Sequence, residues 1–347
     1  MAAGVAVVLT MVMSSHIVAP SHHGLNPSAY SPRVIGAQAG NLSSVAFSPD
    51  GKTLAAGGTG GQKSGPKTGP KADGATYLWN ASTWARIGKF SPGGGAEAFS
   101  PDGTMLAAAG GAHNMSTYLW QVNPKRKIAQ LPDQKVSVAA VAFSANSKKL
   151  AVNGTDGTVR VWTLPPSRGA VPASVSSGTV NSDAVAFSPT GLTLAMGGSD
   201  GQAYLWNAAN GSTRTVPIPG SSPITAVAFS PGGGSLAAGD SEGVTYIWNL
   251  ARHDSIALAD PGGSGVNSVA FSPNGKWLAT GDADGKTYLW HLPAGKLART
   301  LANPEGAGRG PGSVDSATAV LSVAFDPDGT SLATTDTNGH AYLWTVP

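Results

Sequence analysis

The stretch VAFSPNGKWLATGDADGKTYLW, residues 269–290, decides the fold. It reads as three short strands. Val269 to Phe271 is an apolar run halted by Ser-Pro-Asn-Gly. Proline has no N–H to give a ladder, and glycine accepts the positive φ of a tight turn. Leu278 to Thr280 resumes as a second strand, and Asp284-Gly285 is a two-residue hairpin signal. Thr287 to Trp290 forms the third strand, with Tyr288 and Trp290 on one face at period two.

Six more copies surround this one. With Phe271/Trp290, the Phe/Trp anchors are Phe47/Trp79, Phe99/Trp120, Phe143/Trp162, Phe187/Trp206, Phe229/Trp248 and Phe325/Trp344. In five of the seven copies Phe and Trp are 19 residues apart, and successive phenylalanines lie 52, 44, 44, 42, 42 and 54 residues apart. Glycine marks the first turn in six copies, with Ser147 in the seventh, and it recurs at the second turn in six. A period of about 40–45 residues with four strands per unit predicts a β-propeller blade. The expected fold is all-β: a seven-bladed propeller with four antiparallel strands per blade.

These residues resemble the WD-repeat (tryptophan–aspartate repeat) family of seven-bladed propellers over residues 31–347. The most specific parts are the Phe-Ser-Pro-Asp-Gly turns at 47–51 and 99–103 and the Leu-Trp strand endings. The departures matter too. Asn80, Gln121, Thr163, Asn207, Asn249, His291 and Thr345 stand where the family has aspartate, and the strand-two Ser/Thr survives only as Thr280 and Thr334. Most of the family's hydrogen-bonded side-chain tetrad is therefore missing, and the blades are expected to rely on apolar packing and Tyr/Trp pairs. The resemblance implies a rigid, non-catalytic scaffold or sensor for a protein or peptide partner. The Gly/Ala-rich, aspartate-less repeats look like bacterial versions of the family, some of which follow membrane-anchored protein kinases.

Composition narrows the function. Only 12% of the 347 residues are charged and the formal net charge is +3, a poor footprint for nucleic acid, which favours clustered Lys/Arg. Zero cysteines exclude a disulfide scaffold and thiolate metal sites. No nucleophile elbow, phosphate loop or dinucleotide fingerprint appears, so no cofactor and no enzyme activity are expected. The competing reading is an exported enzyme or carbohydrate-binding propeller that uses its channel mouth. The DADG at 282–285, with Asp240, Glu242, Asp336 and Asn338 at like positions, hints at calcium. Hairpin chemistry explains Asp or Asn before Gly without a metal.

Along the chain, residues 2–13 are apolar and uncharged, and the stretch runs on to Ala19. That is short for a membrane span but suits a signal-peptide core. The basic n-region is absent, the first Lys/Arg being Arg33. Residues 1–19 thus read as an export or anchor segment, as an apolar tail, or as the stub of a longer chain. The first is preferred, which favours a membrane-anchored or extracytoplasmic location over the cytoplasm. Residues 20–30 read as a linker and 31–347 as the propeller, expected to be a monomer. The last Trp is followed by three residues, so blade seven lacks its outer strand. An open seam would expose unpaired strand edges, and residues 31–37 are expected to fill it.

Two insertions break the period, at 59–73 in blade one and 302–317 between blades six and seven. Both are expected to overhang one sector. Lys63, Lys67 and Lys71, with Arg309 in the second insertion, are candidate grips for an acidic partner; the plainer reading is a solvated loop. Ser44, Glu97 and Ser268 precede first strands and are candidates for a ring around the channel mouth, although crowding near the axis explains small residues equally well. Trp277 fills a position held by non-aromatic residues in its sister blades, which suits a partner anchor or a side chain tucked under a loop.

Overall fold

The computed structural model describes residues 32–35, 42–58, 74–109, 115–131, 136–167, 171–175, 182–304 and 318–346. These form seven four-stranded antiparallel sheets. The innermost strands are Leu42–Phe47, Glu97–Phe99, Val138–Phe143, Ser182–Phe187, Ile224–Phe229, Val266–Phe271 and Val320–Phe325. Each touches the next around a closed ring, and the last touches the first. The sheet order of blade seven closes the circle: Arg33–Ile35 lies outside Ala341–Thr345, with Arg33 opposite Leu343 and Ile35 opposite Ala341. The expected stitching of the two ends is therefore present, and no sheet is left short of a strand.

The turn chemistry follows the sequence closely. All six first-turn glycines have positive φ, from 67° at Gly51 to 76° at Gly329. Ser147, the non-glycine in the series, takes the same conformation at φ 59°. The second turn is wider than a two-residue hairpin. In blade six the last paired residues are Gly281 and Thr287, and the Asp282 carboxylate accepts the Lys286 N–H at 2.7 Å, closing the loop.

The first strands also begin earlier than expected. Ser44 and Ser268 lie inside them, one residue past a bulge that interrupts the register with the second strand.

Packing is between blades. Each sheet presents large side chains on one face and small ones on the other, as period two allows. In blade one, Val45, Phe47, Leu54 and Trp79 pack against Ala324, Ala333 and Ala341 of blade seven. Its opposite face, with Ala46 and Ala55, receives Phe99, Leu106 and Trp120 of blade two. Trp206 of blade four shares a core cluster with Ala142 and Ala151 of blade three, and Trp248 of blade five shares one with Ala186 and Ala195 of blade four. The anchor tryptophans are 3–9% exposed, and of the anchor phenylalanines Phe229 alone is only partly buried.

Tyr/Trp pairing is less general than the sequence suggests. Four pairs, in blades one, two, six and seven, lie 6.1–6.4 Å apart in tilted geometry, which adds a favourable aromatic contribution. Blades four and five correct the expectation: among the described residues Trp206 and Trp248 form no such ring pair with Tyr204 and Tyr246. Tyr204 donates to the Asp200 carboxylate, as Tyr342, which does pair with its tryptophan, donates to Asp336. Trp206 and Trp248 are thus held by apolar contact between blades.

Candidate functional site

The positions expected to line the channel mouth do something else. Ser44, Glu97 and Ser268 have no exposed surface. The Ser44 hydroxyl accepts the Glu97 N–H at 3.1 Å, and Ser268 accepts the Val323 N–H at 3.1 Å. Ser322 accepts the Val45 N–H at 3.3 Å. Each bond runs from one blade's inner strand to the next, so these hydroxyls pin the joints six–seven, seven–one and one–two. Where the sequence has Ala140, Ala184 and Ala226, there is no hydroxyl to offer. These bonds join inner strands of different blades, a pairing that one sequence cannot reveal.

Glu97 is not the counterpart of Ser44 and Ser268: like Val45 and Val323 it is the residue whose N–H donates to the serine of the preceding blade. Its carboxylate crosses to blade one, where the Thr76 hydroxyl donates to Oε1 at 3.0 Å and Oε2 is buried without a partner. Room exists because Gly57 has no side chain: a Cβ there would stand 1.8 Å from Oε1. Burial raises the carboxyl to about 7, against smaller opposing effects of the bonds to Ser44 and Thr76.

Blades six and seven retain a remnant of polar wiring. The Trp290 indole N–H donates to Thr280 at 3.1 Å, and the Trp344 indole to Thr334 at 3.0 Å. Thr280 in turn donates to Asp260 at 3.2 Å. Blades two and three have Ala108 and Val152 at the threonine position, and the indole nitrogens of Trp120 and Trp162 are buried without partners.

Asp260 belongs to a carboxylate group with Asp240, Asp282 and Asp284, near the Tyr288 hydroxyl. Burial holds both Asp260 and Asp282 up at about 7. Asp284 is held low by its hydrogen bond with Asp282, and Lys286 pairs with it at 2.6 Å. Within this pair the deeper Asp282 keeps the proton. The carboxylates of Asp240 and Asp336 accept turn N–H groups at 2.8–3.0 Å. Among the described residues no three His, Asp or Glu side chains are grouped so as to hold a metal ion. The sequence exposed Asp282 and Asp284 through their turn. Asp260 was missed, because it sits in a loop with no repeat signature.

The described ends of the two insertions share one face. Leu42, Gly58 and Ala75 are level across blade one, and the adjoining inner strand of blade seven starts at the same end. The two sets of ends share this face on neighbouring blades, but 58 and 74 border Gly93 on the blade-two side, whereas Thr318 borders Gly285 of blade six. Lys63, Lys67, Lys71 and Arg309 themselves lie outside the described residues, as do residues 1–31. Trp277 is half-buried, set edge-on to the His291 ring at 5.0 Å and packed against the cluster between blades six and seven.

On the opposite face a groove of about 370 Å³ opens between blades five and six, walled by Ile256, Phe271, Leu292 and Pro293 with Asn249 and Arg252 at its edge. Sequence reading had no means of finding it, since two blades contribute its walls. No described helix is long and apolar enough to cross a membrane.

Residues 31–80, 125–163, 175–207, 212–249, 258–291 and 311–345 match the family profile described as WD domain, G-beta repeat. The unmatched stretch between the first two holds blade two, whose inner strand is the shortest of the seven. A search of curated proteins finds no match.

Proposed function

Because the chain belongs to the WD domain, G-beta repeat family, we propose that it is a rigid, non-catalytic platform or sensor module for a protein or peptide partner. In this reading it is of the bacterial kind, displayed at a cell surface or attached to a signalling protein. The contact surface is the sector of blades seven and one, with Lys63, Lys67, Lys71 and Arg309 gripping an acidic partner segment and the apolar start of the chain holding the ring near a membrane. The observation that carries the reading is the common origin of both insertions: they spring from one face of two adjoining blades. A loop-borne site on a stiff base is the usual division of labour between recognition and scaffold. Partner capture from the native extract tests it, comparing the intact chain with one lacking residues 60–72 and 303–316. Loss of specific partners on deletion is expected; unchanged recovery removes the loops as the contact.

A further inference from the structure

Charge on this ring is sorted by position. The outer strands of blades seven, one and two are Arg33–Ile35, Arg86–Phe90 and Arg126–Gln130. With the turn before the last, they present Arg33, Arg86, Lys89, Lys125, Arg126 and Lys127, all exposed. Neither these strands nor the turns that lead into the second and third contain an Asp or Glu. Among the described residues none of the six cations is ion-paired with an acid. Outer strands of all blades run the same way, so Arg86 and Arg126, opposite Trp79 and Gln121, stand at one edge of the ring with Lys125 and Lys127 beside Arg126. Arg33 stands further in, opposite Leu343.

The basic edge is held in shape. The Lys125 ammonium donates to the Ile87 carbonyl at 2.9 Å, tying blade two to blade one. Arg86 lies 5.7 Å from the centre of the Tyr77 ring, and Lys127 lies 5.8 Å from that of Tyr118. Two exposed aliphatics, Val34 at 41% and Ile87 at 45%, sit between the cations. Acids on the same side, Asp50, Asp102, Asp326 and Asp328, lie in inner turns, where they accept bonds from neighbouring Ser, Thr and backbone groups. The chain that carries the apolar residues 2–19 joins the ring at this edge, immediately before Arg33.

We propose that the basic outer edge of blades seven, one and two is a docking surface for an anionic lipid bilayer. The inference rests on the reading of the propeller as a platform held near a membrane, but it requires no protein partner. A single weak apolar anchor binds reversibly, and an adjoining cluster of cations supplies the second contact. Cations at an anionic surface each strengthen binding by about five-fold. The acidic turns of blades five and six, with Asp240, Asp282 and Asp284, would then stay clear of the lipid.

The test is sedimentation of the full chain with vesicles of phosphatidylcholine, with and without roughly one third phosphatidylserine, at two salt concentrations. The apolar start contributes to both vesicle types, so the difference between them reads the edge. Two triple variants carry equal charge: Arg86→Gln/Lys125→Gln/Lys127→Gln at the edge and Lys148→Gln/Arg214→Gln/Arg252→Gln on blades three to five. Thermal melts verify that both fold, and Arg33→Gln/Lys89→Gln is a second edge variant should the first not. The serine-dependent increment should fall about 100-fold for the edge triple, about 25-fold for the edge double, and little for the distant triple. Equal losses in both triples, no preference for phosphatidylserine at low salt, or an edge-dependent affinity for duplex DNA matching that for vesicles would each overturn the proposal.

Discussion

Blades six and seven differ from blades two and three in how they treat the same tryptophan. In the first pair a threonine accepts the indole N–H, at 3.1 and 3.0 Å. In the second pair an alanine or a valine stands there, and the N–H is buried with no acceptor. The sheets are nonetheless alike in order and register, and their tryptophans are similarly buried. Apolar packing between blades therefore specifies the propeller, and polar wiring adjusts its stability locally. The wired blades adjoin the joint where the chain's two ends meet. Serine pins at Ser44, Ser268 and Ser322 strengthen that sector further.

This comparison can be broken by mutation, starting from the largest effect. Trp344→Ala and Trp162→Ala should each cost about 3–5 kcal/mol in chemical denaturation, because the cavity dominates in both blades. A much smaller loss in blade three would mean that its orphaned indole spoils the packing.

Glu97→Gln comes next and depends on pH. Below about 4.5, its value when unfolded, the native carboxyl is protonated and costs nothing extra. As pH rises through about 7, the unfolded chain ionises first and stability is lost. The variant should match the parent at pH 4.5 and exceed it by about 3 kcal/mol at pH 8. A difference between variant and parent that stays constant over that interval would show that Glu97 ionises freely.

Thr334→Val should cost about 1–3 kcal/mol by stranding the Trp344 N–H. The smallest effect sharpens the comparison from the other side. Val152→Thr places an acceptor beside Trp162 at nearly unchanged volume and should stabilise blade three by about 1 kcal/mol, measured by the shift in denaturation midpoint. Destabilisation instead would mean that the hydroxyl cannot face the indole there.

The repeat made most of the fold legible. Glycine at Gly51 or Gly275 announced a left-handed turn because no other residue takes that conformation cheaply, and the missing outer strand of blade seven announced its replacement. Blade two was found through Phe99 and Trp120 although the family profile passes over it. What stayed hidden depended on orientation and on neighbours distant in sequence. Ser44 and Ser268 looked like lining of a channel, yet each accepts a backbone N–H of the next blade. Tyr204 and Tyr246 stand two residues before Trp206 and Trp248 as in the paired blades, yet their rings do not pair with those tryptophans among the described residues. Asp260 carried no signal, since its role comes from Thr280 twenty residues away. The basic edge was written openly in RVI, RIGKF and RKIAQ, but only the ring places those three strands side by side.

The most direct test of the central claim, a ring closed by its first strand, is amide hydrogen exchange of the intact chain. Residues 33–35 should be protected to the same degree as the other outer strands, such as Lys296–Ala302, and should open together with 341–343. Exchange of 33–35 at the rate of an unstructured peptide, while 341–345 stay protected, would contradict closure and remove the basis for both proposed surfaces.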